Sequence, residues 1–182
     1  EVLQRVPVRP HDAISVPAGT VHALLTGLVV AEIQENADTT YRLYDWGRPG
    51  PDGQPRPLHA DKALDVIAFG APPPGVSVPE VLADGGGIRV ERLVSCPQFW
   101  VERVTLRGEA RYAGLCDGAT FEIWGTVQGQ AVLEAPALDQ VASAALSLPA
   151  VAWTVLPAEM GAYTFRAERD KCTLLRAYLP PA

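Results

Sequence analysis

The 182 residues are 48% hydrophobic and 20% charged, with three cysteines and a formal net charge of −6 at pH 7. That length suits one large domain or two small ones, and the apolar content suffices for a buried core. The negative balance argues against a general nucleic-acid or anionic-membrane surface while leaving room for a local basic pocket.

Cys96, Cys116 and Cys172 lie far apart without Cys-x-x-Cys spacing. A disulfide framework or thiolate zinc site is therefore not expected, and a cytoplasmic setting is. No apolar run reaches the ~18 residues of a transmembrane helix. The opening "EVLQRVPV" does not resemble a signal peptide and enters at once on a strand-like alternation, as if in the middle of a fold.

In chain order, residues 2–9 alternate with period two and predict a strand. "RPHD" and "VPAGT" are turns. "VHALLTGLVVAEIQE" predicts two strands broken near Gly27, and "TTYRLYDWG" a third, stopped by the Pro/Gly run "RPGPDGQPRP". "HADKALDVIAF" predicts a short helix with Asp61 as N-cap. Gly70 to Gly87 is Pro- and Gly-rich and reads as a linker. From residue 88, short apolar strands follow one another: "IRVERLV", "QFWVERVTLRG", "ARYAGL", "TFEIWGTVQGQAVLEAP", "VAWTVLP", "AYTFRAE" and "CTLLRAYLP". "LDQVASAALSL" reads as a loop plus strand in preference to a helix. The close strand spacing predicts an all-β sandwich or barrel. "VPAGTVHAL" and "LPAEMGAYTF" share a Pro-Ala turn leading into a strand, which suggests a duplicated β unit.

Candidate site residues concentrate before position 60. His22 follows the Pro17-Ala18-Gly19 turn, where an imidazole is held with one nitrogen free for a metal, or is a core or surface histidine hydrogen-bonded to backbone. Glu32 sits in an apolar run and is a ligand, a base, a counter-ion of Arg42 or a solvated residue. Arg42 clamps an anionic substrate, stabilises developing negative charge, or pairs with Asp38 or Asp45. Arg48, Arg56 and His59 are phosphate candidates on charge alone. The second half has no histidine, so a metal site there is not expected. Trp100, Trp124 and Trp153 read as core, and Glu102, Glu109 and Glu122 as solvated strand residues.

The runs "DAISVPAGTVHAL", "GLVVAEIQENADTTYRLYDWGR" and "RPLHADKALDVI" resemble the short, bacterial class of type I phosphomannose isomerases (mannose-6-phosphate isomerases), a cupin-barrel family. "LVSCPQFWVERVTLRG", "FEIWGTVQGQ" and "VLPAEMGAYTF" resemble that family's second, metal-free cupin. The resemblance implies an all-β cupin (double-stranded β-helix, jelly-roll) architecture. A partial first cupin would occupy residues 1–69, with a short helix. A linker over 70–87 and a metal-free cupin over 88–182 would follow. It implies interconversion of mannose 6-phosphate and fructose 6-phosphate through a cis-enediol, with one zinc per intact enzyme. His22 matches the last zinc histidine, Glu32 an active-site carboxylate, and Arg42 the arginine of the proton-transfer step.

The family's Gln-x-His pair and its zinc-binding glutamate are not found in this sequence. The chain is expected to be the C-terminal part of such an enzyme, to lack zinc or hold it weakly alone, and to be inactive or incomplete. Its expected partners are a phosphosugar and either the N-terminal segment or a second copy, with no nucleic acid and no membrane. The alternatives are a non-catalytic cupin module binding a sugar or protein, and another cupin enzyme. The lack of a two-histidine motif argues against a dioxygenase.

Overall fold

The structure, a computed structural model, describes residues 3–136 and 145–180. Two compact units divide the chain, Glu1–Val76 and Ser77–Ala182. No described helix is long and apolar enough to cross a membrane.

Among the described residues of the first unit, regular structure consists of helix α1 (Ala60–Val66) and an isolated bridge between Pro49 and Pro55. The strands expected within residues 3–46 do not form. β-propensity measures how well a side chain fits a pleated, half-buried surface. Here Leu24, Leu25, Leu28 and Val30 are exposed, and Val29 is 98% exposed. With no described strand to pair against them, the extended segments gain neither a ladder nor a buried face.

The α1 N-cap is His59, not the expected Asp61, which falls in the first turn. The His59 side chain faces another way, because its Nδ1 accepts the Arg42 amide at 3.2 Å. The His59 amide donates in turn to the Arg42 carbonyl at 2.8 Å. A second tether joins the Ala68 amide to the Gly19 carbonyl at 3.1 Å. Gly19 has φ +82°, and a Cβ there would stand 2.7 Å from the Val66 carbonyl oxygen. Only glycine allows that approach.

The second unit is two antiparallel sheets over one core. Its strands are β1 (Glu80–Gly85), β2 (Ile88–Ser95), β3 (Trp100–Arg107), β4 (Arg111–Cys116), β5 (Glu122–Gln128), β6 (Gln130–Glu134), β7 (Ala145–Pro149), β8 (Trp153–Leu156), β9 (Gly161–Ala167) and β10 (Lys171–Tyr178). One sheet runs β1-β2-β3-β10-β5-β8 and the other β4-β9-β6-β7. β1 lies in the stretch read as linker, where it pairs with β2 around a bulge between Val81 and Ala83. The first part of "LDQVASAALSL" lies outside the described residues; its end forms β7.

Alternation selects the core. Val104 and Leu106 on β3, Trp124 on β5, Phe165 on β9 and Cys172 and Leu174 on β10 are fully buried between the sheets. Trp124 meets the core expectation. Trp100 is only half-buried, and Trp153 is 41% exposed, because β8 is an edge strand.

Candidate functional site

The first unit gathers charge at a turn. The Arg48 amide donates to the Asp45 carbonyl at 3.0 Å, with Trp46 at φ +52° and Gly47 at φ +66° between them. Glycine adopts that conformation freely, whereas a bulky L-residue pays about 1–2 kcal/mol for it. The Pro49–Pro55 bridge and the Gly50 amide on the Gln54 carbonyl at 2.7 Å then return the chain to Arg56.

Asp45 is buried at the centre of this turn. Arg48 reaches its Oδ1 through Nη2 at 2.6 Å and Nε at 3.2 Å. Arg56 donates Nε to Oδ2 at 2.7 Å and Nη2 to Oδ1 at 3.0 Å. Arg42 Nε lies 3.7 Å from Oδ1. Burial pushes the Asp45 carboxyl up, but the hydrogen bonds and charges of Arg48 and Arg56 outweigh it and hold the group below its ordinary range. Among the described residues these arginines form no other ion pair, so three guanidiniums face one carboxylate. Arg48 and Arg56, with Asp45, border a cavity of about 120 Å³ also walled by Tyr44, Gly47, Pro55 and Leu58. A small pocket with surplus positive charge and forked donors is suited to a phosphate or carboxylate.

Of the residues picked from sequence, the structure brings Arg42, Arg48 and Arg56 together, with Asp45 as the carboxylate partner of Arg42. His59 touches this group through the Arg42 backbone. His22 and Glu32 are exposed, and among the described residues no hydrogen bond or ion pair joins either to Arg42. His22 Nδ1 lies 3.0 Å from the Thr20 carbonyl. Since a carbonyl only accepts, the ring donates there and the Nε2 lone pair is left for another partner. Among the described residues, however, no group of three or more His, Cys, Asp or Glu side chains gathers to hold a metal ion. The described residues do not by themselves make a zinc site.

The second unit holds a polar cluster that sequence reasoning missed. Glu102 and Glu122, expected to be solvated, are buried, while Glu109 is exposed in the turn after β3. Glu122 Oε2 accepts from Trp124 Nε1 at 2.7 Å, Tyr163 Oη at 2.5 Å and Arg176 Nε at 3.0 Å; Arg176 Nη2 also donates to Oε1. Glu102 accepts from Tyr178 Oη at 2.7 Å, Arg92 Nη2 at 3.0 Å and Arg176 Nη1 at 3.2 Å. Burial, helped by the Glu102 contact, pushes the Tyr178 phenol up to about 12. Burial likewise raises Tyr163 and Tyr112. The missed signal was register: Glu102 shares the inward face of β3 with Val104 and Leu106, and Glu122 that of β5 with Trp124 and Thr126.

The two Pro-Ala turns do match in backbone. The Thr20 amide reaches the Pro17 carbonyl at 3.2 Å, and the Met160 amide the Pro157 carbonyl at 3.0 Å. Counting from each proline, Ala162 stands where His22 does. The second turn thus lacks the imidazole, and Glu122 and Arg176 fill the interior with a satisfied ion pair.

No protein-family model matches the chain. The putative mannose-6-phosphate isomerase YvyI of Bacillus subtilis is 31% identical over 178 residues, 98% of this chain and 52% of that protein. The mannose-6-phosphate isomerase ManA of the same organism is 40% identical over 111 residues, 60% of this chain and 34% of that protein. A crystal structure of the mannose 6-phosphate isomerase from Bacillus subtilis superposes with a TM-score of 0.62 at 26% identity, over 78% of this chain and 41% of that one. The chain spans 22% to 52% of the length of the curated relatives it matches. In sequence and in fold, the chain is therefore related to the mannose-6-phosphate isomerases and shares their cupin β-architecture.

Proposed function

We propose that this chain takes part in the interconversion of mannose 6-phosphate and fructose 6-phosphate, as a cytoplasmic isomerase of phosphosugars. The observation that carries the reading is the arginine-lined cavity at Asp45, in a chain related to proteins named for that substrate. Arg48 and Arg56 supply forked donors for the phosphate. Arg42 belongs to the same group and stabilises the negative charge that grows on the sugar oxygens as a proton moves between C1 and C2. Glu32 is the carboxylate assigned to proton transfer in this reading. His22 offers one imidazole nitrogen to zinc, whose chemistry when bound is to polarise the sugar oxygens. The described residues do not complete a metal site, so no step is assigned through it.

The test is titration of the chain with fructose 6-phosphate and with fructose, followed by an isomerase assay in the presence of Zn²⁺ on a full-length isomerase carrying this segment, native and Arg42→Ala. Binding of the phosphorylated sugar alone is expected. Turnover is expected to fall by about 100-fold or more in Arg42→Ala, with bound zinc unchanged. Equal affinity for both sugars, or parallel loss of zinc and turnover, overturns the reading.

A further inference from the structure

We infer that Asp45 is a positioning residue for anion binding: it aims the Arg48 and Arg56 guanidiniums at the adjoining cavity instead of merely neutralising them. The inference deepens the phosphosugar reading and rests on it.

Four observations carry the argument. One cation neutralises one carboxylate, yet Asp45 lies within ion-pair distance of three arginines, an excess that no other described carboxylate offsets. The geometry is also ordered. Arg48 reaches one carboxylate oxygen through two nitrogens, and Arg56 spans both oxygens. A guanidinium has five N–H donors, so each retains donors for a further acceptor. Arg48 is 61% exposed, leaving those donors accessible. Finally, the turn that brings Arg48 back to Asp45 holds Trp46 in the left-handed region, and the Arg48 guanidinium lies 5.9 Å from the Trp46 ring centroid. Strain of this kind persists where surrounding contacts over-determine it and recurs at binding sites.

A neutralising and a positioning carboxylate make opposite predictions. If Asp45 only cancels charge, it competes with the ligand, and Asp45→Asn tightens anion binding by unmasking a cation. If it positions, Asp45→Asn lets two adjacent guanidiniums repel and splay, and binding weakens despite the added positive charge.

The experiment is calorimetric titration of the full chain with inorganic phosphate and with fructose 6-phosphate, for the native protein, Asp45→Asn, Asp45→Glu and Arg48→Lys. We expect Asp45→Asn to weaken both ligands by about tenfold or more, and Asp45→Glu to recover part of the loss. Arg48→Lys keeps the charge, loses the fork and should weaken phosphate several-fold. Should Asp45→Asn fail to fold, Asp45→Glu decides the matter, because it keeps the charge and displaces the carboxylate. Equal or tighter binding by Asp45→Asn, or native-level binding by Asp45→Glu where the first variant is unfolded, overturns the positioning role alone. Absence of phosphate binding by the native chain overturns both the inference and the phosphosugar reading of this cavity.

Discussion

Glu122 shows how much one side chain can hold together. The residue is 2% exposed, and its carboxylate takes donors from Trp124, Tyr163 and Arg176, thereby joining β5, β9 and β10. Breaking a buried pair by removing one charge is expected to cost about 3–5 kcal/mol. Glu122→Gln should lower the stability of the chain by that order in urea unfolding, since the amide nitrogen meets donors and Arg176 keeps only Glu102 as a counter-ion. The double variant Glu122→Met, Arg176→Met should be less destabilised than Glu122→Gln, because no unpaired charge remains. A single variant within about 0.5 kcal/mol of native, as is ordinary for exposed sites, would refute this account. Charge alone misled the sequence reading here. The alternation of Glu102 with Val104 and Leu106 was visible in the string, but nothing in it announced Arg176 and Tyr178 as partners some seventy residues downstream. Arg42, by contrast, was legible together with Asp45, because the two stand three residues apart.

At the scale of elements, strands were readable where they alternate and find partners. β3, β5, β9 and β10 turn their large apolar side chains to one face, interrupted by Glu102, Glu122 and Arg176, and each is paired along its length. "VHALLTGLVVAEIQE" has the same β-branched composition and yet forms no ladder, since composition records the capacity to pair and not the presence of a neighbour. Turns carry their own strain. Val151 has φ +69° at the third position of the turn Pro149–Ala152, which the Ala152 amide closes on the Pro149 carbonyl at 3.0 Å. That position favours glycine or asparagine, and a β-branched side chain is costly there. Val151 is exposed, so little packing is lost on replacement. Val151→Asn is expected to stabilise the chain by about 1 kcal/mol, read as a higher urea midpoint at unchanged slope. An unchanged or lower midpoint would show that the turn is not strained in solution.

For the molecule as a whole, the net charge of −6 conceals local pairing. On the second unit, the Arg103 hydrogen bond, opposed by burial and helped by Arg89, holds Glu91 below the usual glutamate range. Arg166 and then Arg111 do the same for Glu134. A folded-state pKa below the unfolded one contributes stability that is complete above the ordinary value of 4.5 and is lost as pH falls through the lower, folded value. Thermal midpoints should therefore hold level near neutrality and drop below about pH 4.5, and Glu134→Gln should shrink that drop. A midpoint indifferent to acid would contradict the pairing. The all-β class was legible because the second unit supplies most of the regular structure. The sparse regular structure of the first unit was not, because a pattern of apolar residues does not say whether their backbone will be met.

The order of strands also bears on how the protein is made. β10, the last described strand, lies in the middle of its sheet, between β3 and β5. During synthesis the ribosome delivers every neighbour before that centrepiece. Until Lys171–Tyr178 leaves the exit tunnel, β3 and β5 carry open edges and Glu122 has no guanidinium to meet. Closure of this sheet thus waits for β10, and the nascent chain passes through an interval in which chaperones have bare strand edges to shield.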